Sequence, residues 1–238
     1  MITSDRPALL IVGNSVSLSP GPGILSYPER LAAQVPEWRQ IAVIESGATV
    51  EELASAAVEA IRTANPRAVV LQVGINECAP RPLGPRQRRW VGRVRPLRLR
   101  GVIVAALHRW RPQIIRLRPL AQNLPPDRFD TALGRFISVA RSVGAAVLLL
   151  PIPEVHPVAE RRTPFTNREI RRYTALLDRH VGDEVSRVDV ATLFESIDPA
   201  VYCIRPDSVH WSAFAHERAA RYIAEWLSSL RLTISSPA

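Results

Sequence analysis

The chain has 238 residues, 47% of them apolar and 22% charged, which suits one α/β domain with a sizeable core and excludes a globally disordered protein. Its formal charge is +9 and all 31 basic residues are arginine, a bias that a GC-rich coding sequence would also produce. Two cysteines, Cys78 and Cys203, suit a reducing, cytoplasmic setting and offer no metal-ligand cluster; the N-terminus lacks the basic region of a signal peptide, and no run reaches the ~20 apolar residues of a membrane span.

Ala8 to Val12 is a compact apolar run that ends in Gly13, the pattern of a strand buried on both faces. Asn14 and Ser15 follow at its carboxyl end, where open α/β sheets place their ligands. Pro20 to Gly23 reads as a loop, and Tyr27 to Val35 as a helix. Ile41 to Ile44 is a second strand, followed by Glu45-Ser46-Gly47-Ala48-Thr49. Thr49 and Glu52 make a capping box, with Leu53, Ala57, Ala60 and Ile61 on one helix face behind it. Ala68 to Val73 is a third strand and runs into Gly74-Ile75-Asn76-Glu77.

Residues 78–126 hold twelve arginines and no Asp or Glu, with one apolar core from Gly101 to Leu107. They read as an insertion or long crossover, part loop and part helix, lying near the site. Helical patterns at about 128–143 and 167–181 flank a fourth strand, Ala145 to Leu150. A short fifth strand is expected over Val185 to Val190. The last helix starts after Ser212 and reaches about Leu230, with Phe214, Ala219, Ile223, Trp226 and Leu227 inward. Strands alternating with helices imply parallel βαβ units and a sheet covered on both faces. The whole of 1–238 is then a single domain with a cap at about 78–126.

A serine hydroxyl is a weak nucleophile unless a base lies within hydrogen-bond reach and donors face the oxyanion that it creates. Ser15 sits where a strand turns into a loop, and Asp207 precedes His210 by three residues, close enough to hold its imidazole. Ser, then Asp, then His is the chain order of a strand-turn nucleophile followed by a C-terminal acid–base loop. The backbone N–H groups of Ser15 and Gly47 and the side-chain amide of Asn76 all fall at strand carboxyl ends and are the candidate oxyanion donors. Ser17 and Ser19 lie further from the strand end and read as loop residues. His216 is expected on a helix surface, and His108, His156 and His180 have no Asp at comparable spacing.

These blocks resemble the SGNH, or GDSL-type, hydrolase family, named for Ser, Gly, Asn and His in separate motifs. Here they are Gly13-Asn14-Ser15-Val16, Ser46-Gly47-Ala48-Thr49, Gly74-Ile75-Asn76-Glu77 and Asp207-Ser208-Val209-His210, in the family's order over roughly residues 8–230. Asn14 and Glu77 stand where the family's pattern has Asp. The resemblance implies a flavodoxin-like three-layer α/β/α sandwich around a five-stranded parallel sheet. It implies Ser15, Asp207 and His210 as catalytic residues, Ser15, Gly47 and Asn76 as the oxyanion hole, and neither a cofactor nor a metal.

The expected activity is that of a serine esterase acting on a small-molecule carboxylic ester or thioester through an acyl-enzyme. An acyltransferase of secondary metabolism would use the same residues, and a non-catalytic binding protein could share the fold. The arginine-rich segment reads as a solvated cap or as a positive rim for an acidic partner, such as an acyl carrier protein, a coenzyme A thioester or an anionic head group. Nucleic acid is disfavoured, because the segment has only Trp90 and Trp110 as aromatics and no recognised module.

Overall fold

A computed structural model describes residues 6–117, 122–206 and 208–232. Five strands, β1 (Ala8–Gly13), β2 (Arg39–Ile44), β3 (Ala68–Gln72), β4 (Ala146–Leu149) and β5 (Val185–Arg187), form one parallel sheet in the order β2-β1-β3-β4-β5. β1 and β3 are buried at every position, as their unbroken apolar sequences require, whereas β2 at the edge is only half-buried. β5 is shorter than its apolar pattern suggests: Val188 still bonds to Leu149, but Val190 already begins a helix.

The helices are α1 (Tyr27–Gln34), α2 (Val50–Ala64), α3 (Ile75–Cys78), α4 (Pro85–Arg93), α5 (Leu97–Arg109), α6 (Arg111–Leu117), α7 (Pro126–Ser142), α8 (Pro157–Arg162), α9 (Thr166–Asp178), α10 (Val190–Phe194), α11 (Pro199–Tyr202) and α12 (Ala213–Leu232). Right-handed crossovers in this strand order put α1 on one face and α2, α7 and α9 on the other. α1 packs against α12 on the first face, and α7 packs against both α2 and α9 on the second. The result is a three-layer α/β/α fold. None of the described helices is long and apolar enough to cross a membrane.

The chain leaves β1 for the edge strand β2 and returns to β3 on β1's other side, so its winding reverses between β1 and β3. In doubly wound sheets the loops diverge above such a reversal and leave a crevice at the strands' carboxyl ends. Ser15 follows β1 and Asn76 follows β3, on the two sides of that crevice.

Two expectations fail on the faces of helices. The buried residues of α12 include Ala215, His216, Ala219, Ile223 and Leu227, while Phe214 is exposed. His216 is therefore a core residue: its Nδ1 accepts the Tyr27 backbone N–H at 3.1 Å, tying α12 to the start of α1. In the basic segment, Gly101–Leu107 is not a core. It lies within α5, which has no fully buried residue and packs chiefly against its neighbours α4 and α6. Ile115 of α6 and Val91 of α4 anchor this cap instead.

Candidate active site

The first motif turns immediately after β1. Asn14 caps a 3-10 turn, Ser15–Ser17, its Oδ1 accepting the Val16 N–H at 3.1 Å. Asparagine thus does the capping with its carbonyl, while its buried Nδ2 has no partner among the described residues. Gly13 has to be glycine for space, since a Cβ there would lie 2.2 Å from the Ser17 hydroxyl. Ser17 is buried and committed: its hydroxyl donates to Gln72 Oε1 at 2.7 Å and accepts from the Tyr27 hydroxyl at 3.2 Å. Ser19 bonds to the Gly21 and Ile24 carbonyls of its own loop. Ser15, in contrast, is only half-buried and opens onto a cavity.

The third motif is built around Gly74, at φ +117°, where a Cβ would also meet Ile152 at 2.1 Å. That turn starts the short helix α3 and presents Asn76. The Asn76 amide donates one N–H to the Ala48 carbonyl at 3.0 Å, while its backbone carbonyl accepts from Asn123 at 2.7 Å. An amide nitrogen has two hydrogens, so one donor of Asn76 is left for the cavity that it lines. Glu77 is fully buried behind it. Its carboxylate accepts the Val50 N–H at 2.7 Å and the Gly74 N–H at 2.8 Å. One side chain thereby holds the N-terminus of α2 against the turn that carries Asn76. Burial outweighs those bonds and lifts the Glu77 carboxyl to a pKa of about 7.

The second motif supplies the other side of the Asn76 bond. Gly47 is exposed at φ +79°, with open space where a Cβ would stand. It is not among the residues lining the cavity, although its neighbour Ala48 is bonded to Asn76.

The last motif is a loop closed by an antiparallel bridge between Cys203 and Trp211. Ile204 N–H donates to the His210 carbonyl and Ser212 N–H to the Tyr202 carbonyl, at 3.0 and 2.8 Å. Trp211 is fully buried beside Phe194 and Tyr27, which seats the loop on the core. His210 then faces the cavity, half-buried, and desolvation lowers its pKa below the ordinary histidine value. Its Nδ1 lies 3.1 Å from the Ser208 hydroxyl, which also accepts the His210 backbone N–H at 3.0 Å. The Asp–His spacing of the motif gives no sign of this Ser208 contact. Asp207 lies outside the described residues.

Ser15, Asn76 and His210 therefore line one cavity of about 540 Å³. Its other walls come from the basic cap and from α8 and its flanking residues: Arg81, His108, Arg109 and Arg111 on one side, Val155 and Arg162 on the other. Among the described residues no group of three or more His, Cys, Asp or Glu gathers as a metal site, and both cysteines are free and buried. The other histidines have separate duties, His156 capping α8 and His180 bonding Asp130 at 2.8 Å.

No family model matches the chain, and no curated protein sequence matches it. Solved structures do. A GDSL-like lipase from Bacteroides thetaiotaomicron superposes with a TM-score of 0.56 at 11% identity, over 94% of this chain and 88% of that one. A lipase/acylhydrolase from Enterococcus faecalis gives 0.57 at 14% identity, over 94% and 96%. A catalytic mutant of the acetylxylan esterase Axe2 from Geobacillus stearothermophilus gives 0.60 at 16% identity, over 92% and 93%. The chain has the fold of the SGNH, or GDSL-type, hydrolases.

Proposed function

We propose that the protein is a serine-dependent ester hydrolase that works through an acyl-enzyme on Ser15. The observation that carries this reading is the meeting of Ser15, Asn76 and His210 around one cavity at the reversal point of the sheet. The fold's solved neighbours, lipases and acetylxylan esterases among them, speak for the same chemistry.

The Ser15 hydroxyl attacks the acyl carbonyl while His210 Nε2 takes its proton. The base role requires the His210 proton on Nδ1, where Asp207 accepts it and stabilises the imidazolium. Ser208 Oγ, beside Nδ1, can accept the same hydrogen. The oxyanion is held by the backbone N–H of Ser15 and the uncommitted N–H of Asn76, with the Gly47 N–H, which lies outside the cavity lining, as the third donor that the motif implies. His210 then protonates the departing alcohol or thiol, and water, deprotonated by His210, releases the acyl group from Ser15. If an alcohol replaces water at that step, the same groups perform acyl transfer. The arginines of the cavity wall are the observation that speaks for an acidic acyl donor, such as an acyl carrier protein or a coenzyme A thioester.

Labelling with a fluorophosphonate tests the nucleophile. The wild type is expected to label stoichiometrically and Ser15→Ala not at all, with ester turnover falling at least ~10³-fold in the variant. Equal labelling of the two proteins would remove Ser15 from the mechanism.

A further inference from the structure

Several arginines elsewhere on this molecule are matched with carboxylates. Arg141 bonds Glu184 at 2.7 Å, Arg187 bonds Asp178 at 2.5 Å, and Arg168 reaches the buried Glu169 at 2.9 Å. The cavity wall is different. Arg81, Arg109 and Arg111 form no ion pair among the described residues, and no described residue lining the cavity is acidic. Arg111 has only neutral partners, the Thr163 hydroxyl at 3.0 Å and the Pro80 carbonyl at 3.5 Å. Arg81 Nε is buried with no hydrogen-bond partner at all among those residues. Burial, and then the charges of Arg111 and Arg88, lower the Arg81 pKa.

Arg81 and Arg111 are half-buried and close enough to repel, and such guanidinium groups without a counter-charge are costly unless something compensates them; Arg109 adds a third, exposed positive charge at the rim. They stand on the wall of the cavity that holds Ser15, so the compensating group can enter with the substrate. We propose that Arg81, Arg109 and Arg111 form an anion subsite, and that the ester cleaved at Ser15 carries a phosphoryl group which they bind. The proposal rests on the reading of Ser15 as nucleophile.

A phosphoryl group suits the site better than a carboxylate does. It offers up to about two negative charges and three acceptor oxygens, enough to pair with more than one planar fork. A volume of about 540 Å³ lies in the range of small-molecule sites and holds a short acyl ester with one such group.

Binding and turnover test it separately. Inorganic phosphate is titrated calorimetrically into the Ser15→Ala protein at constant ionic strength, with chloride and succinate as controls. Saturable binding is expected, weakened at least tenfold by Arg81→Gln, by Arg111→Gln and by Arg109→Gln. Arg109 is exposed on α5, so its substitution carries little risk to folding, and circular dichroism checks all three variants. In the protein with Ser15 intact, the acetate ester of a sugar phosphate is expected to show a kcat/KM at least tenfold above that of the same acetylated sugar without phosphate. Acetyl-coenzyme A forms a third arm that identifies a thioester as the carrier of the phosphoryl group. The ratio should fall below about threefold in the Arg→Gln variants. Absence of saturable phosphate binding, binding indifferent to all three substitutions, succinate binding as tightly as phosphate, or equal turnover of the two acetates each overturns the proposal. If arginine-dependent phosphate binding survives while the fluorophosphonate ignores Ser15, the nucleophile fails and the anion site stands.

Discussion

Asn76 shows how much of one residue's task is decided by counting hydrogens. One N–H goes to the Ala48 carbonyl and restrains the side chain, which leaves the second uncommitted in a residue that lines the cavity. His210 is prepared differently, by partial removal from water, which disfavours its charged form. A base must be neutral to accept a proton, so activity should be retained above the histidine's pKa and lost as pH falls through it. Because that pKa is lowered, the acidic limb of kcat/KM for a neutral ester is expected below pH ~6.5, the ordinary histidine value. A limb at or above that value would mean that another group, or a charged partner of His210, sets the profile. Ser15, Asn76 and His210 could be singled out from the chain because each follows an abrupt end of an apolar run or precedes a helix. The burial of His216 could not. It depends on Tyr27, 189 positions away, and on a helix face that starts with Ala215 instead of the larger Phe214.

Elements meet at the site through a few buried groups, and Glu77 is the chief of them. It satisfies the first N–H of α2 and the N–H of Gly74 together, so the capped helix and the Asn76 turn are held in one register. Glu77→Gln keeps the shape but offers a single acceptor oxygen, and its NH2 would face a donor. The variant is expected to lose roughly 1–3 kcal/mol of stability at neutral pH in urea unfolding, with a fall in kcat as Asn76 loosens. Unchanged unfolding would show that Glu77 does not join the two elements. The strands that converge here were legible because parallel strands buried on both faces have continuous apolar sequence, as in Ala8–Gly13 and Ala68–Gln72. Thr49 and Glu52 were legible because a capping box is local, and both of its hydrogen bonds are present. The cap was legible only as an oddity of charge. Among the described residues α5 buries none of its apolar side chains fully, and Leu97, Leu99, Val102 and Val104 stay exposed, so the usual link between hydrophobic runs and burial is weak there.

Across the molecule, the sheet and its two helical layers depend on contacts between distant ends of the chain, and the α1–α12 contact has an acid limit. His216 is buried neutral, with its pKa lowered to about 4, chiefly by burial. A depressed folded-state value means that its contribution is intact above the unfolded value of about 6.5 and is lost as pH falls toward 4. Compared with His216→Gln, which retains an acceptor for the Tyr27 N–H, the wild type should lose roughly 2–3 kcal/mol over that window. Urea midpoints measured for both proteins from pH 7 to 4.5 would show the gap moving; parallel curves would mean that His216 stays uncharged in acid or is solvated in the native state.

The poorly seated α5 has an evolutionary corollary. The hydroxyl, amide and imidazole are fastened to the most deeply packed part of the protein, whereas Arg109 and His108 belong to a helix that contributes nothing to the interior. Replacements along that helix carry little penalty for folding, typically within ~0.5 kcal/mol at surface positions. Descendants of this chain can therefore redraft the roof of the cavity while the hydroxyl, amide and imidazole below are inherited untouched.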